Sequence, residues 1–182
     1  MTDLDFKHEL ISRIKRGDRK AQYEFYNQYA RGMYNICYRM VSDDMEAEDI
    51  LQQSFVKAFK HIDKFDFRAT PGAWLKRIVV NNCINYLRKK KIDLVSIDNN
   101  HLHLTEEVEN NDTSYNMDVV KKAMTKLPEG YKVVIQLYLI EGYDHSEIGQ
   151  ILGISDSTSK SQYHRAKKKL QLIVKEIMNN YE

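Results

Sequence analysis

The stretch Asp144-His-Ser-Glu-Ile-Gly-Gln-Ile-Leu-Gly-Ile-Ser-Asp-Ser-Thr-Ser-Lys-Ser-Gln-Tyr-His-Arg-Ala-Lys-Lys-Lys169 has the spacing of two helices meeting at a tight corner. Asp144 can cap the first helix, with Glu147 three residues on as its capping-box partner. Ile148, Ile151 and Leu152 form an inward stripe at helical spacing, and Gly149 carries no side chain to hold a second helix away. Gly153 falls where the first helix must end, because a left-handed residue suits the C′ position and glycine adopts it cheaply. Ile154 can plug the corner, and Ser155 or Asp156 can cap the next helix. The second helix is expected to present Lys160, Ser161, Gln162, His164 and Arg165 outward, with Tyr163, Ala166 and Leu170 turned in. A basic second helix of this kind is how a helix-turn-helix enters the major groove. The same corner also serves all-helical proteins that bind no DNA, and Lys167-Lys168-Lys169 can be simply a solvated face.

Bulk properties narrow the class. A chain of 182 residues accommodates one large domain or two small ones. No apolar run approaches the length of a membrane span. Met1 to Arg19 is charged throughout and lacks the apolar core of a signal peptide. Cys37 and Cys83 lie far apart among apolar helical residues, which suits buried thiols in a reducing compartment better than a disulfide. A cytoplasmic location with no membrane insertion is the expectation.

The formal net charge of +2 conceals a segregation. Residues 1–91 carry 18 Lys/Arg against 12 Asp/Glu, residues 92–118 carry seven acids and no base, and residues 119–182 carry ten bases against seven acids. Two basic bodies are therefore joined by an acidic connector. Helical periodicity runs over Phe6 to Arg16, Ala21 to Val41, Glu46 to Ile62 and Pro71 to Lys90. It dissolves over residues 92–116, rich in Asn, Asp and Glu, which read as an extended linker. Helix resumes over Met117 to Lys126, stops at Leu127-Pro128, and continues in an apolar helix over Tyr131 to Glu141 that Gly142 closes. The last helix is expected to reach about Met178. The fold class is all-α, with domains at 1–91 and 117–182 joined by the 92–116 linker.

Further motifs lie in the first body. From Pro71 to Lys91 six residues are basic and none is acidic, and Thr70-Pro71 supplies an N-cap and a first-turn proline. Leu75, Ile78, Val79, Asn82 or Cys83, and Leu87 make its buried stripe, while Asn81, Asn85 and Arg88 share another face. Amides and guanidinium groups suit base edges and lysines suit phosphates, although a basic surface helix needs no ligand. Phe65-Asp66-Phe67-Arg68-Ala69 could cradle an unstacked base, or its aromatics could pin the loop to the core. His101, His103 and Glu106 are a loose scatter with no fourth ligand at fixed spacing, so no metal is expected. No nucleophile–base constellation, phosphate-binding glycine loop or cofactor motif is present, so the chain reads as no enzyme and is expected to need no cofactor.

Taken together, these segments resemble a bacterial RNA polymerase sigma factor of the extracytoplasmic-function (ECF, group 4) class. The resemblance covers nearly the whole chain. Residues 47–59, Phe67-Arg68, residues 74–81 and residues 85–88 resemble sigma region 2. Leu127-Pro128-Glu129, Glu141-Gly142-Tyr143, Glu147-Ile148, Gly153-Ile154-Ser155, Thr158 and Arg165-Ala166-Lys167 resemble region 4, in the family's order.

The resemblance implies specific roles. Helix 47–59 would dock on the clamp helices of the polymerase β′ subunit through Asp49, Gln52, Gln53 and Val56. The loop with Phe65, Asp66, Phe67, Arg68 and Ala69 would hold a flipped −10 base, and Asn81, Asn85 and Arg88 would read the adjoining −10 region. Lys160, Ser161, Gln162, His164 and Arg165 would read the −35 element, with region 4 on the β flap. The acidic linker would thread toward the polymerase channel, promoter melting would follow, and an anti-sigma factor would be a partner. Four positions depart from the family pattern: Gln53 replaces an acid, Ser159 an apolar residue, Gly149 an alanine and Ser157 a glycine. The alternative is a free-standing helix-turn-helix regulator that never joins polymerase. A helical adaptor without DNA would leave both basic helices unexplained.

Overall fold

The computed structural model describes residues 3–90 and 117–180, with side chains from residue 8 onward. The 92–116 connector, including His101, His103 and Glu106, lies outside the described residues. The described residues form eight α-helices with short 3₁₀ and π segments and no strand. The chain divides into two compact units between Leu87 and Arg88.

The first unit contains α1 (Asp3–Lys15), α2 (Arg19–Val41), α3 (Asp44–Lys60) and α4 (Pro71–Lys89). Its helix starts are written in side-chain oxygens. Asp18 accepts from the backbone amides of Lys20 and Ala21, Asp43 from Glu46, and Thr70 Oγ1 from Ala73. Each cap satisfies one or two of the four donors that a helix start leaves open. Phe25 from α2 is fully buried, with the rings of Tyr29, Phe55 and Phe59 around it. Ile11 and Ile14 from α1, Met33, Ile36 and Met40 from α2, Ala47, Ile50, Leu51 and Ala58 from α3, and Leu75, Val79, Val80, Cys83, Ile84 and Leu87 from α4 are also buried in this core. Cys37 and Cys83 are buried free thiols. Asn82 is half-buried and polar: its amide donates to Ser54 Oγ at 2.9 Å and its carbonyl accepts from Lys57 at 3.2 Å, fixing α4 against α3. The buried stripe of α4 is thus centred on Val79, Val80, Cys83 and Ile84, with Ile78 at its edge.

The second unit contains α5 (Met117–Thr125), α6 (Glu129–Ile135), α7 (His145–Leu152) and α8 (Asp156–Asn179). Helices α5, α6 and α7 all pack on α8. Ala123, Leu127, Ile135, Ala166, Ile173, Val174 and Ile177 form one apolar cluster, flanked by Val119, Met124, Tyr131, Tyr163 and Leu170. The apolar helix expected to run unbroken to Glu141 instead widens to a π segment over Gln136–Ile140, where the amide of Glu141 donates to the carbonyl of Gln136. The wider turn keeps Leu137 buried while exposing Tyr138, Leu139 and Ile140. Gly142, at φ +74°, then ends the segment. No helix among the described residues is long and apolar enough to cross a membrane.

Candidate nucleic-acid interface

The corner between α7 and α8 is built as its sequence demands. The Asp144 carboxylate accepts from the Glu147 amide at 2.8 Å, and the Glu147 carboxylate accepts from the Asp144 amide at 2.9 Å. At the far end Gly153 adopts φ +71°, and the amides of Gly153 and Ile154 both donate to the Gly149 carbonyl. Ser155 caps α8 by accepting from Thr158 at 3.0 Å, leaving Asp156 as the first helical residue. Only three residues separate the helices, so their relative angle is held by backbone bonds rather than by side chains alone.

Helix α8 presents Lys160, Ser161, His164 and Arg165 to solvent. The Lys160 ammonium lies 2.8 Å from the Asp156 carboxylate, one turn back, and this bond holds its pKa above the ordinary lysine value. Ser161 donates to the carbonyl of Ser157 at 3.0 Å. Gln162 is a correction: it is buried, 4% exposed, rather than outward. At about 100° per residue, Ser159, Gln162, Ala166 and Ile173 recur at three-, four- and seven-residue intervals and form one inward row. Tyr163 and Leu170, expected inside, sit half-buried at its edge. Burial pushes the Tyr163 phenol up from its ordinary value.

Ser159, where the family pattern has an apolar residue, is fully buried with its hydroxyl 3.0 Å from His145 Nδ1. The His145 ring stacks on Tyr138 with centroids 4.5 Å apart. A polar pair backed by an aromatic ring replaces apolar packing at this point of the corner. Lys167 is exposed, whereas Lys168 and Lys169 are half-buried, with their stems partly along the helix surface. Two exposed residues on the outward face were missed: Asp156 and Ser157, which simple counting back by three and four from Lys160 and Ser161 would have found.

In the first unit, the loop ahead of α4 buries its two aromatics to different depths, although their rings meet at 4.9 Å between centroids. Phe65 is buried, 2% exposed, against Trp74, so the expectation that it helps hold a base is corrected: it anchors the loop. Phe67 is half-buried at φ +62°, a left-handed conformation costly for a residue with a Cβ. Asp66 accepts from the Arg68 amide at 3.2 Å and pairs with the Arg68 guanidinium at 3.1 Å, leaving Arg68 on the surface beside exposed Ala69. Along α4, Asn81 is half-buried while Asn85 and Arg88 are exposed. Arg77, exposed and one turn before Asn81, extends this face and was legible from the same spacing.

On α3, Asp49, Gln52, Gln53 and Val56 are all exposed. Val56 is 67% exposed and Met45, further up the helix, 83%, while Ala47, Ile50, Leu51, Ser54, Phe55 and Ala58 are buried on the other side. Gln53 donates its amide to Asp49 at 2.6 Å. Val56 is thus an apolar branched side chain left in water beside a carboxylate and two amides.

Residues 25–92 match the Sigma-70 region 2 family, and residues 117–170 match Sigma-70, region 4. The ECF RNA polymerase sigma factor SigW of Bacillus subtilis is 33% identical over 181 residues, covering 88% of this chain and 92% of that protein. The ECF RNA polymerase sigma-E factor of Haemophilus influenzae is 28% identical, covering 93% and 95%. Among solved structures, the sigma factor RpoE of Bartonella quintana, in complex with the anti-sigma factor NepR, has a TM-score of 0.57 at 23% identity and covers 84% of this chain and 96% of its own. CnrH, in complex with the cytosolic domain of CnrY, has a TM-score of 0.56 at 20% identity, covering 93% and 97%. These two likenesses concern the fold. The chain belongs to the ECF sigma factors, transcription initiation factors that recognise promoters together with RNA polymerase.

Proposed function

We propose that the chain joins core RNA polymerase and reads both promoter elements, with residues 1–91 serving the −10 element and the polymerase and residues 117–182 serving the −35 element. Lys160, Ser161, His164 and Arg165 face the −35 major groove, with Gln162 behind them in the core of the unit. Asp66, Phe67, Arg68 and Ala69 receive an unpaired −10 base, while Asn81, Asn85 and Arg88 read the adjoining −10 region. Asn81 lies ten residues into α4, about 15 Å of helix rise from the loop, the length of roughly four bases along one strand.

The observation that carries the reading is the exposed α3 surface of Asp49, Gln52, Gln53 and Val56 in the same unit as the basic α4. A free-standing DNA regulator has no use for it, whereas a subunit docking on the β′ clamp helices does. Region 4 is assigned to the β flap on the family pattern. Cytoplasmic location, the absence of catalysis by the chain itself, and capture by an anti-sigma factor belong to the same proposal. The last is supported by the Bartonella structure, in which a sigma factor of this fold is held by the anti-sigma factor NepR.

Footprinting at fixed salt, with and without core polymerase, tests the reading. Split between two small units, the contacts of the isolated chain should hold duplex DNA weakly, and core polymerase should raise promoter affinity sharply by fixing both in register. Equal affinity in the two conditions would favour the free regulator.

A further inference from the structure

We propose that His8 is a stand-in for the −10 base, covering the face of Phe67 until DNA displaces it. This rests on the reading that the 66–69 loop receives an unpaired base. The His8 and Phe67 rings stack with centroids 4.1 Å apart and planes 22° from parallel. That separation leaves no room for a third ring between them, so a base and His8 compete for the same face.

The loop is constructed to hold Phe67 there. Phe65, two residues earlier, already anchors the segment in the core against Trp74, so Phe67 is not needed for that purpose. Its ring, on a left-handed backbone at φ +62°, stays half-buried: it meets the Phe65 ring at 4.9 Å between centroids and the His8 ring at 4.1 Å. Lys15 of α1 tethers the loop as well. Its ammonium donates to the Phe65 carbonyl at 2.9 Å and the Asp63 carbonyl at 3.5 Å, and lies 5.4 Å from the centre of the Phe67 ring. A ring on a strained, tethered loop, with a cation beside it, is a stacking platform next to a phosphate partner.

His8 itself is exposed and belongs to the first turns of a helix at the edge of the unit. Among the described residues the core members of α1 are Leu10, Ile11 and Ile14, so the exposed His8 ring can leave without displacing them. A flat, nitrogen-bearing ring over a stacking platform imitates a base, and it keeps the platform from offering an apolar face to water before DNA arrives. The cover thereby sets a threshold on base capture, which only a well-matched strand exceeds.

The test uses holoenzyme assembled from the full chain and core polymerase, with forked promoter DNA whose non-template −10 strand is single-stranded and carries 2-aminopurine in turn at each position. His8→Ala should tighten forked DNA by about three- to tenfold, the range expected when a modest stacking competitor is removed, and should leave binding of fully duplex −35 DNA unchanged. His8→Trp, a larger cover, should weaken forked DNA. Phe67→Ala should weaken forked DNA, abolish the 2-aminopurine quench at one position, and make His8→Ala silent. If His8→Ala weakens forked DNA, His8 is a second wall of the pocket and the proposal falls. If His8→Ala has no effect while Phe67→Ala still weakens binding, base capture stands and the cover does not. If Phe67→Ala changes nothing, the loop captures no base and both readings fall together.

Discussion

A methyl group on Gly149 would lie 2.8 Å from the carbonyl oxygen of Ile154, a distance that forces backbone to move. The same glycine's carbonyl accepts from both Gly153 and Ile154, so the approach is part of the mechanism that closes the corner. Gly149→Ala should therefore destabilise the second unit by about 1–3 kcal/mol, the cost of overpacking a site that cannot relax freely. Thermal unfolding of the full chain, followed together with −35 binding by holoenzyme, measures it. Unchanged unfolding would mean that the corner opens without cost.

Val56 leaves two-thirds of its surface in water on the same face as Asp49 and Gln52. Val56→Glu should leave the fold intact, because no core contact is lost, and weaken core polymerase binding by at least tenfold through an unpaired charge at the contact. Pull-down or fluorescence anisotropy with labelled chain and purified core reads the effect, with far-UV circular dichroism as the folding control.

Arg165 and Lys167 should separate sequence reading from anchoring. Arg165 stands on the outward face with Lys160, Ser161 and His164, so Arg165→Ala should relax −35 specificity at a cost of about 1–3 kcal/mol for a lost bidentate base contact. Lys167→Ala should weaken all promoters alike and lower the salt slope of binding by roughly one unit. Holoenzyme titrations on promoter variants at several salt concentrations distinguish them, and an exchange of the two phenotypes would reverse the assignment.

Tyr34 donates its phenol to the Asp44 carboxylate at 2.6 Å, joining α2 to the start of α3, and this bond pushes its pKa up from 10.0 to about 12. The folded state thus favours the protonated phenol. Its contribution to stability is complete below the unfolded value near 10 and is lost as pH rises toward and through about 12. Ultraviolet titration should show, besides the raised Tyr163, a late tyrosinate that Tyr34→Phe removes and Asp44→Asn brings back toward 10. A titration unaltered by both changes would contradict the bond.

Local signals with a single physical cause were legible in the chain. The Asp144–Glu147 box, the Thr70-Pro71 start, the Ser155 cap and the left-handed Gly153 each follow from which backbone groups a helix end leaves open, and each stands where its residues implied. The rotational phase of α8 was harder to read. Ser159 and Gln162 are polar, so an apolar count placed the inward stripe along Tyr163, Ala166 and Leu170, whereas the packing accommodates Ser159 through His145 and takes Gln162 inside. The π segment was hidden because Val133 to Ile140 is apolar on nearly every side, which leaves no period to shift. Phe65 and Phe67 could not be told apart by composition; only packing shows Phe65 buried and Phe67 half-buried on a left-handed backbone.

The central claim is that this chain gives core polymerase its promoter preference. Transcription by purified core polymerase on a random-promoter library, with and without the chain, tests it most directly. The account predicts that adding the chain selects templates sharing two short motifs at a fixed spacing, that Arg165→Ala blurs only the upstream motif, and that changes at Asp66 to Ala69 alter only the downstream one. Transcripts from the same templates without the chain, or enrichment of a single motif indifferent to the first unit, would contradict it.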